Sequence, residues 1–176
     1  MDIEVVTTVP FARPAVFVGM RDQMPALCQY MPNIESVTVE SRDDGTPGET
    51  RLVNRWQAAK SEVPVVARKF VDPKRMFWLD HAHWIDGVWR CDWRLEMGFM
   101  PDRIACSGST TYHEVEGGTE LRIKGTLTLR LDGLLPGFIL KKAQPAIEGF
   151  VLSTVKPNFQ RTADALTEYL RHNAAE

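Results

Sequence analysis

Within residues 81–97, HAHWIDGVWRCDWRLEM, two histidines stand one residue apart, Cys91 follows, and carboxylates occur at Asp86, Asp92 and Glu96. Side chains two apart in a strand share a face, so His81 and His83 could converge on a metal or serve as an acid/base pair. A metal site needs at least one further protein ligand. The nearest acid, Asp86, belongs to an Asp-Gly turn, and His113 lies at the end of another strand run. The pattern therefore favours histidines near a wet rim or bonded within a sheet, with no metal expected. Asp80 and Tyr112 complete the residue types suited to proton transfer, which makes His81, His83, Asp80 and Tyr112 weak catalytic candidates. No nucleophile is spaced with a base, no GxxxxGK[ST] phosphate loop occurs, and Cys28, Cys91 and Cys106 form no CxxC pair. No cofactor is expected, and whether the protein is an enzyme stays open.

The elements that must position these residues follow from periodicity. Residues 2–9 alternate as a strand, and 10–32 then carry apolar residues at helical spacing, cut by Pro14, Pro25 and Pro32 into one or two short helices. Three hairpins come next: 34–42 with 49–58, 75–85 with 88–99 around Asp86-Gly87, and 103–115 with 119–131. Residues 61–71 suit either a strand or a short helix and read as a connector. From Pro136 onward an apolar stripe predicts a long helix, segmented or kinked at Pro145 and Pro157 and on the order of 50 Å long.

Strand parity then sorts the chemistry. Trp89, Cys91, Trp93, Leu95, Met97 and Phe99 share one face, while Arg90, Asp92, Arg94 and Glu96 take the other. Trp56 shares a face with Leu52 and Asn54, and Tyr112 with Cys106 and Thr110. Asp80 lies with Trp78 and Trp84, opposite the two histidines; parity alone leaves open which of those faces is inside.

The bulk numbers bound the class. A chain of 176 residues with 44% apolar and 25% charged residues reads as one globular domain over 1–176. A formal net charge of −2 gives no whole-molecule attraction to nucleic acid. The opening MDIEVVTTVP lacks the basic and apolar regions of a secretory signal, and no run approaches a membrane span, so a cytoplasmic location is the default expectation. Three widely spaced cysteines fit reduced thiols better than a disulfide framework.

In the last strand Leu121, Ile123, Leu127 and Leu129 oppose Glu120, Arg122, Lys124 and Thr128, so one face is wet and one covered. The C-terminal stripe is long enough to cover it, and Gly98, Gly108 and Gly125 would let the strands bend around it. The expected fold is α+β: a seven-stranded curved antiparallel sheet around a long C-terminal helix, with two short helices between the first two strands. VTTVPFARPAVF (6–17), YMPNIESVTV (30–39) and TELRIKGTLTLRL running through LLPGF carry a resemblance to the START-like, or SRPBCC, helix-grip superfamily. That superfamily includes the pollen-allergen-like (Bet v 1-like) proteins, lipid-transfer START domains and polyketide cyclases.

The resemblance spans essentially the whole chain and implies a hydrophobic small molecule or lipid held between sheet and helix. The lining expected here is Asn54, Trp56, Trp89, Trp93, Met97 and Tyr112 from the strands, with Ile147, Phe150, Val151 and Thr154 from the helix. Burying roughly 300 Å² of apolar ligand surface gains about 7 kcal/mol gross, which ordering and association costs reduce to micromolar binding. The alternative implied by the resemblance is a cyclase or dehydratase acting on an apolar substrate in the same place. Lys141, Lys142, Lys156, Arg161 and the LLPGF loop would support at most transient membrane contact.

Overall fold

β1 (Asp2–Val9) leads into α1 (Arg13–Asp22), α2 (Met24–Leu27) and a 3-10 turn at Cys28–Tyr30. β2 (Ile34–Asp43), β3 (Glu49–Ala58), β4 (Phe77–Ile85), β5 (Arg90–Met97), β6 (Ile104–Val115) and β7 (Gly118–Leu129) follow. Residues 156–173 are helical and are called α3. The computed structural model describes residues 1–59, 73–98, 101–130 and 156–173. The connector 61–71, the LLPGF loop, Phe99, and the helix-lining residues Ile147, Phe150, Val151 and Thr154 lie outside the described residues.

The seven strands form one antiparallel sheet in the order β1-β7-β6-β5-β4-β3-β2. Strands β2 to β7 are a simple meander in which each strand pairs with the next in sequence. β1 pairs with β7, Ile3 opposite Gly125 and Thr7 opposite Leu121. β2, at the other edge, shifts register between Ile34 and Ser36 and again between Val39 and Ser41. The expected seven strands, their order and the two short helices after the first strand are all present.

Three rows of inward side chains cross the sheet. One runs Leu52, Ala82, Trp93, Gly108, Gly125, Ile3; the next Asn54, Asp80, Leu95, Cys106, Leu127; the third Trp56, Trp78, Met97. The glycines of the first row have a packing reason. A Cβ on Gly125 would stand 2.6 Å from Trp93 Cη2, and one on Gly108 would stand 2.2 Å from the Lys124 carbonyl and 2.7 Å from Trp93 Cζ2. The indole lies flat in the space that two missing side chains leave.

α1 buries Val16, Phe17 and Met20 on one stripe. Phe17 meets Trp84, Trp89 and Tyr112 edge-on, with ring centroids 5.1, 5.3 and 5.1 Å away. α3 docks on α1 through Leu166, close against Gly19, and through Tyr169, whose hydroxyl donates to Gln23 Oε1 at 3.0 Å. Nearer the sheet, Asn33 Nδ2 donates to Asn158 Oδ1 at 2.9 Å, and Phe159 packs on Trp93 at 5.3 Å. The first described turn of α3 thus faces the middle of the sheet, and its last turns rest on α1.

One turn departs from the sequence reading. Asp86-Gly87 predicts a two-residue hairpin with β5 starting at 88; instead Ile85 pairs with Arg90 across a four-residue loop. Asp86–Val88 form a 3-10 turn, and Trp89 adopts the left-handed conformation with φ of 53°. An indole in this region costs on the order of 1–2 kcal/mol of backbone strain. Two contacts hold it: the Phe17 ring, and the Arg13 guanidinium 4.5 Å from the Trp89 ring centre. Trp89 is therefore part of the cluster around Phe17 and stands outside the β5 strand to which alternation assigned it.

Candidate functional site

Register fixes the face of β4 that alternation left open. Ala82 and Trp84 are buried, and Trp78, Asp80, Ala82 and Trp84 all point to the covered side of the sheet. His81 and His83 consequently point outward. His83 Nε2 lies 2.8 Å from Glu49 Oε2, and His81 Nε2 lies 3.2 Å from Glu96 Oε2; all four side chains are partly open to solvent. The histidines share a face with each other but not with Asp80 or Tyr112, so the proposed acid/base group splits across the sheet. Among the described residues no set of three His, Cys, Asp or Glu side chains gathers as a metal would require.

Asp80 is the unexpected member of the covered face. It stands directly opposite Asn54 on β3, with Leu95 as its partner on β5. Burial makes the charged form costly and pushes its carboxyl from 3.8 up to about 7. The same burial, reinforced by the negative charges of Asp80 and Asp92, raises the Cys91 thiol. Tyr112 is likewise raised, by burial first and then by Cys91 and Asp80. The three titratable groups thus face a common interior, and the raised thiol and phenol are neutral there at physiological pH.

Among the described residues, four polar atoms on this face have no hydrogen-bond partner: Asn54 Oδ1, Asp80 Oδ1, Trp56 Nε1 and Trp84 Nε1. Asn54 is 2% exposed and Trp56 6%. Leaving such an atom unsatisfied costs roughly 1–3 kcal/mol, so a group of them on two paired strands demands an explanation. The neighbouring Trp93 shows the ordinary solution, its Nε1 donating to Thr110 Oγ1 at 3.2 Å. Beside the orphaned atoms, Trp56 and Trp78 stack with centroids 5.6 Å apart and planes inclined by 13°. Met97 continues that row.

The described structure therefore brings together Asn54, Trp56 and Met97 on one wall, with Trp93 in the next row. Tyr112 shares the face but packs at the α1 end, against Phe17 and Trp84. Trp89 lies at that end too, outside the wall. Asp80, whose type suits proton transfer, stands opposite Asn54, a place that follows from parity once the inner face of β4 is known.

No family model matches the sequence, and no curated protein matches it. Solved structures do. TTHA0849 from Thermus thermophilus superposes with a TM-score of 0.65 at 17% identity, covering 96% of this chain and 99% of that one. The Zhui aromatase/cyclase from Streptomyces sp. R1128 gives 0.65 at 13% identity, covering 99% and 95%. Ara h 8.0201 gives 0.61 at 19% identity, covering 98% of each chain. The chain has the START-like helix-grip fold. The polar group on β3 and β4 lies on the covered face of the sheet, the face on which Phe159 of α3 packs against Trp93. No described helix is long and apolar enough to cross a membrane.

Proposed function

We propose that the protein binds a small apolar molecule between the concave face of the sheet and the C-terminal helix, against Trp56, Trp78, Trp93 and Met97. The observation that carries this reading is the set of unpartnered polar atoms of Asn54, Asp80, Trp56 and Trp84 inside an otherwise apolar wall. A wall that only packs would pair such atoms or replace them with apolar groups. Ligand sites are mostly apolar with a few converging polar groups, which is the composition seen here. The similarity to Ara h 8.0201 and to an aromatase/cyclase is consistent with an internal ligand. Ile147, Phe150, Val151 and Thr154 belong to the proposal as the helix side of the site.

Organic extraction of the purified protein followed by mass spectrometry, and titration of apolar probes against tryptophan fluorescence, test it. Micromolar quenching or a co-purified apolar molecule is the expected result. A protein that neither carries nor takes up any apolar compound would sink the proposal.

One observation favours a catalytic reading beside it. A carboxyl shifted to about 7 can give or take a proton near neutral pH. In that reading Asp80 moves a proton on an apolar substrate folded against the tryptophans, as a cyclase or dehydratase requires, with Tyr112 as a hydroxyl that feels its charge. Turnover of a polyketone substrate that disappears in Asp80→Asn, with binding retained, would support it. His81 and His83, on the outer face, have no part in it.

A further inference from the structure

We infer that the wall at Asn54 and Asp80 holds its ligand through a hydrogen-bond donor, the hydroxyl of a phenol or an alcohol, and disfavours the same skeleton ending in a carboxylate. This inference rests on the binding reading above and narrows it to a chemical class. Of the two unpartnered oxygens, Asn54 Oδ1 is an acceptor and Asp80 Oδ1 is one whenever its carboxyl is ionised, on residues placed directly opposite each other on neighbouring strands. Such a pair has Cβ atoms roughly 4.5–5.5 Å apart, within reach of a single hydroxyl. Trp56, two residues from Asn54 on the same face, leaves its Nε1 donor unused. A hydroxyl has one proton to give and lone pairs to receive, so it answers an acceptor and that donor together.

Once Asp80 is ionised, a carboxylate answers only the donor. It would also bring a second negative charge beside Asp80, and the inner faces of β3, β4, β5 and β6 carry no Lys, Arg or His to neutralise it. The titratable groups that face Asp80 from the adjoining described elements are Cys91 of β5 and Tyr112 of β6, and burial keeps both neutral. An ether keeps the shape and loses the proton. With Asp80 ionised the wall becomes a stronger acceptor, so the advantage of hydroxyl over ether should grow as pH rises through about 7.

The test uses three probes of one shape, 2-naphthol, 2-methoxynaphthalene and 2-naphthoate, titrated calorimetrically into the full chain at mildly acidic and mildly alkaline pH. The expected order at alkaline pH is naphthol about 3–10-fold tighter than the ether and naphthoate weakest, with a naphthol-to-ether ratio larger there than at acidic pH. Asn54→Leu should shrink the naphthol advantage while leaving the ether's affinity within about twofold. The wild-type comparison decides the matter even if that variant does not fold. An ether as tight as the naphthol, a naphthoate that binds best, or a ratio indifferent to pH overturns the inference while leaving the binding reading standing. Absence of binding by all three overturns both.

Discussion

Replacing Asp80 by Asn removes a carboxyl whose Oδ1 is buried while keeping its size and one acceptor oxygen, and its effect on stability should depend on pH in a way that can be worked out. The carboxyl ionises near 3.8 when exposed and near 7 in the folded chain. Between those values the folded state holds a proton that the unfolded chain has released, so stability falls as pH rises through this window and levels off above 7. At 1.36 kcal/mol per unit, the cost is about 2 kcal/mol at pH ~5.5 and about 4 kcal/mol at pH ~8.5. Asn carries none of it. The stability of Asp80→Asn relative to the parent should therefore improve by about 2 kcal/mol between those two pH values, whatever the substitution does to packing. Urea unfolding of both proteins at the two pH values measures the difference directly. A relative change under about 0.5 kcal/mol, smaller than RT, would mean that water or a polar partner reaches the carboxyl and that its burial has been misjudged.

Three other outcomes follow from the packing. Gly125→Ala places a methyl into the Trp93 ring and should destabilise by about 1–3 kcal/mol, with a change in tryptophan emission as the indole is displaced. Phe17→Ala removes the ring shared by Trp84, Trp89 and Tyr112 and should cost about 3–5 kcal/mol, read as a lowered denaturation midpoint. His81→Ala and His83→Ala break only solvent-exposed pairs with Glu96 and Glu49; each should cost under about 1 kcal/mol and leave apolar-probe affinity unchanged. Loss of binding in either histidine variant would contradict their outward placement.

The strands were legible because each hairpin combines alternation with a turn signal, and the register in β7 follows directly from Leu121, Ile123 and Leu127 against Glu120, Arg122 and Lys124. The inner face of β4 was not legible. Both of its faces carry polar and aromatic or apolar residues, and only pairing with β3 and β5, which sets Trp84 between Thr50 and Cys91, decides between them. Residue type does not help there, since the paired histidines and the aspartate between tryptophans all suit proton transfer while only the aspartate takes the covered face. Trp89 was misplaced because Asp-Gly favours a two-residue turn and a bulky aromatic rarely takes a positive φ; the Phe17 and Arg13 contacts that hold it come from an element far away in sequence. The covered face of β3 is legible because Leu52 fixes the parity that Asn54 and Trp56 share.

The pairing of β1 with β7 also sets the order in which the chain can be completed. Every other neighbour in the sheet is joined by a turn or a single connector, whereas Ile3 waits for Gly125. On a ribosome adding roughly 5–20 residues per second, that gap amounts to about 6–25 seconds during which β1 has no partner strand. Val5, Thr7 and Val9, which end up covered, must spend that interval exposed or sheltered by something other than their native neighbour. Closing the sheet is thus a late, long-range event, and substitutions in β1 should act on the yield of folded protein made in cells more than on the local order of the meander already formed.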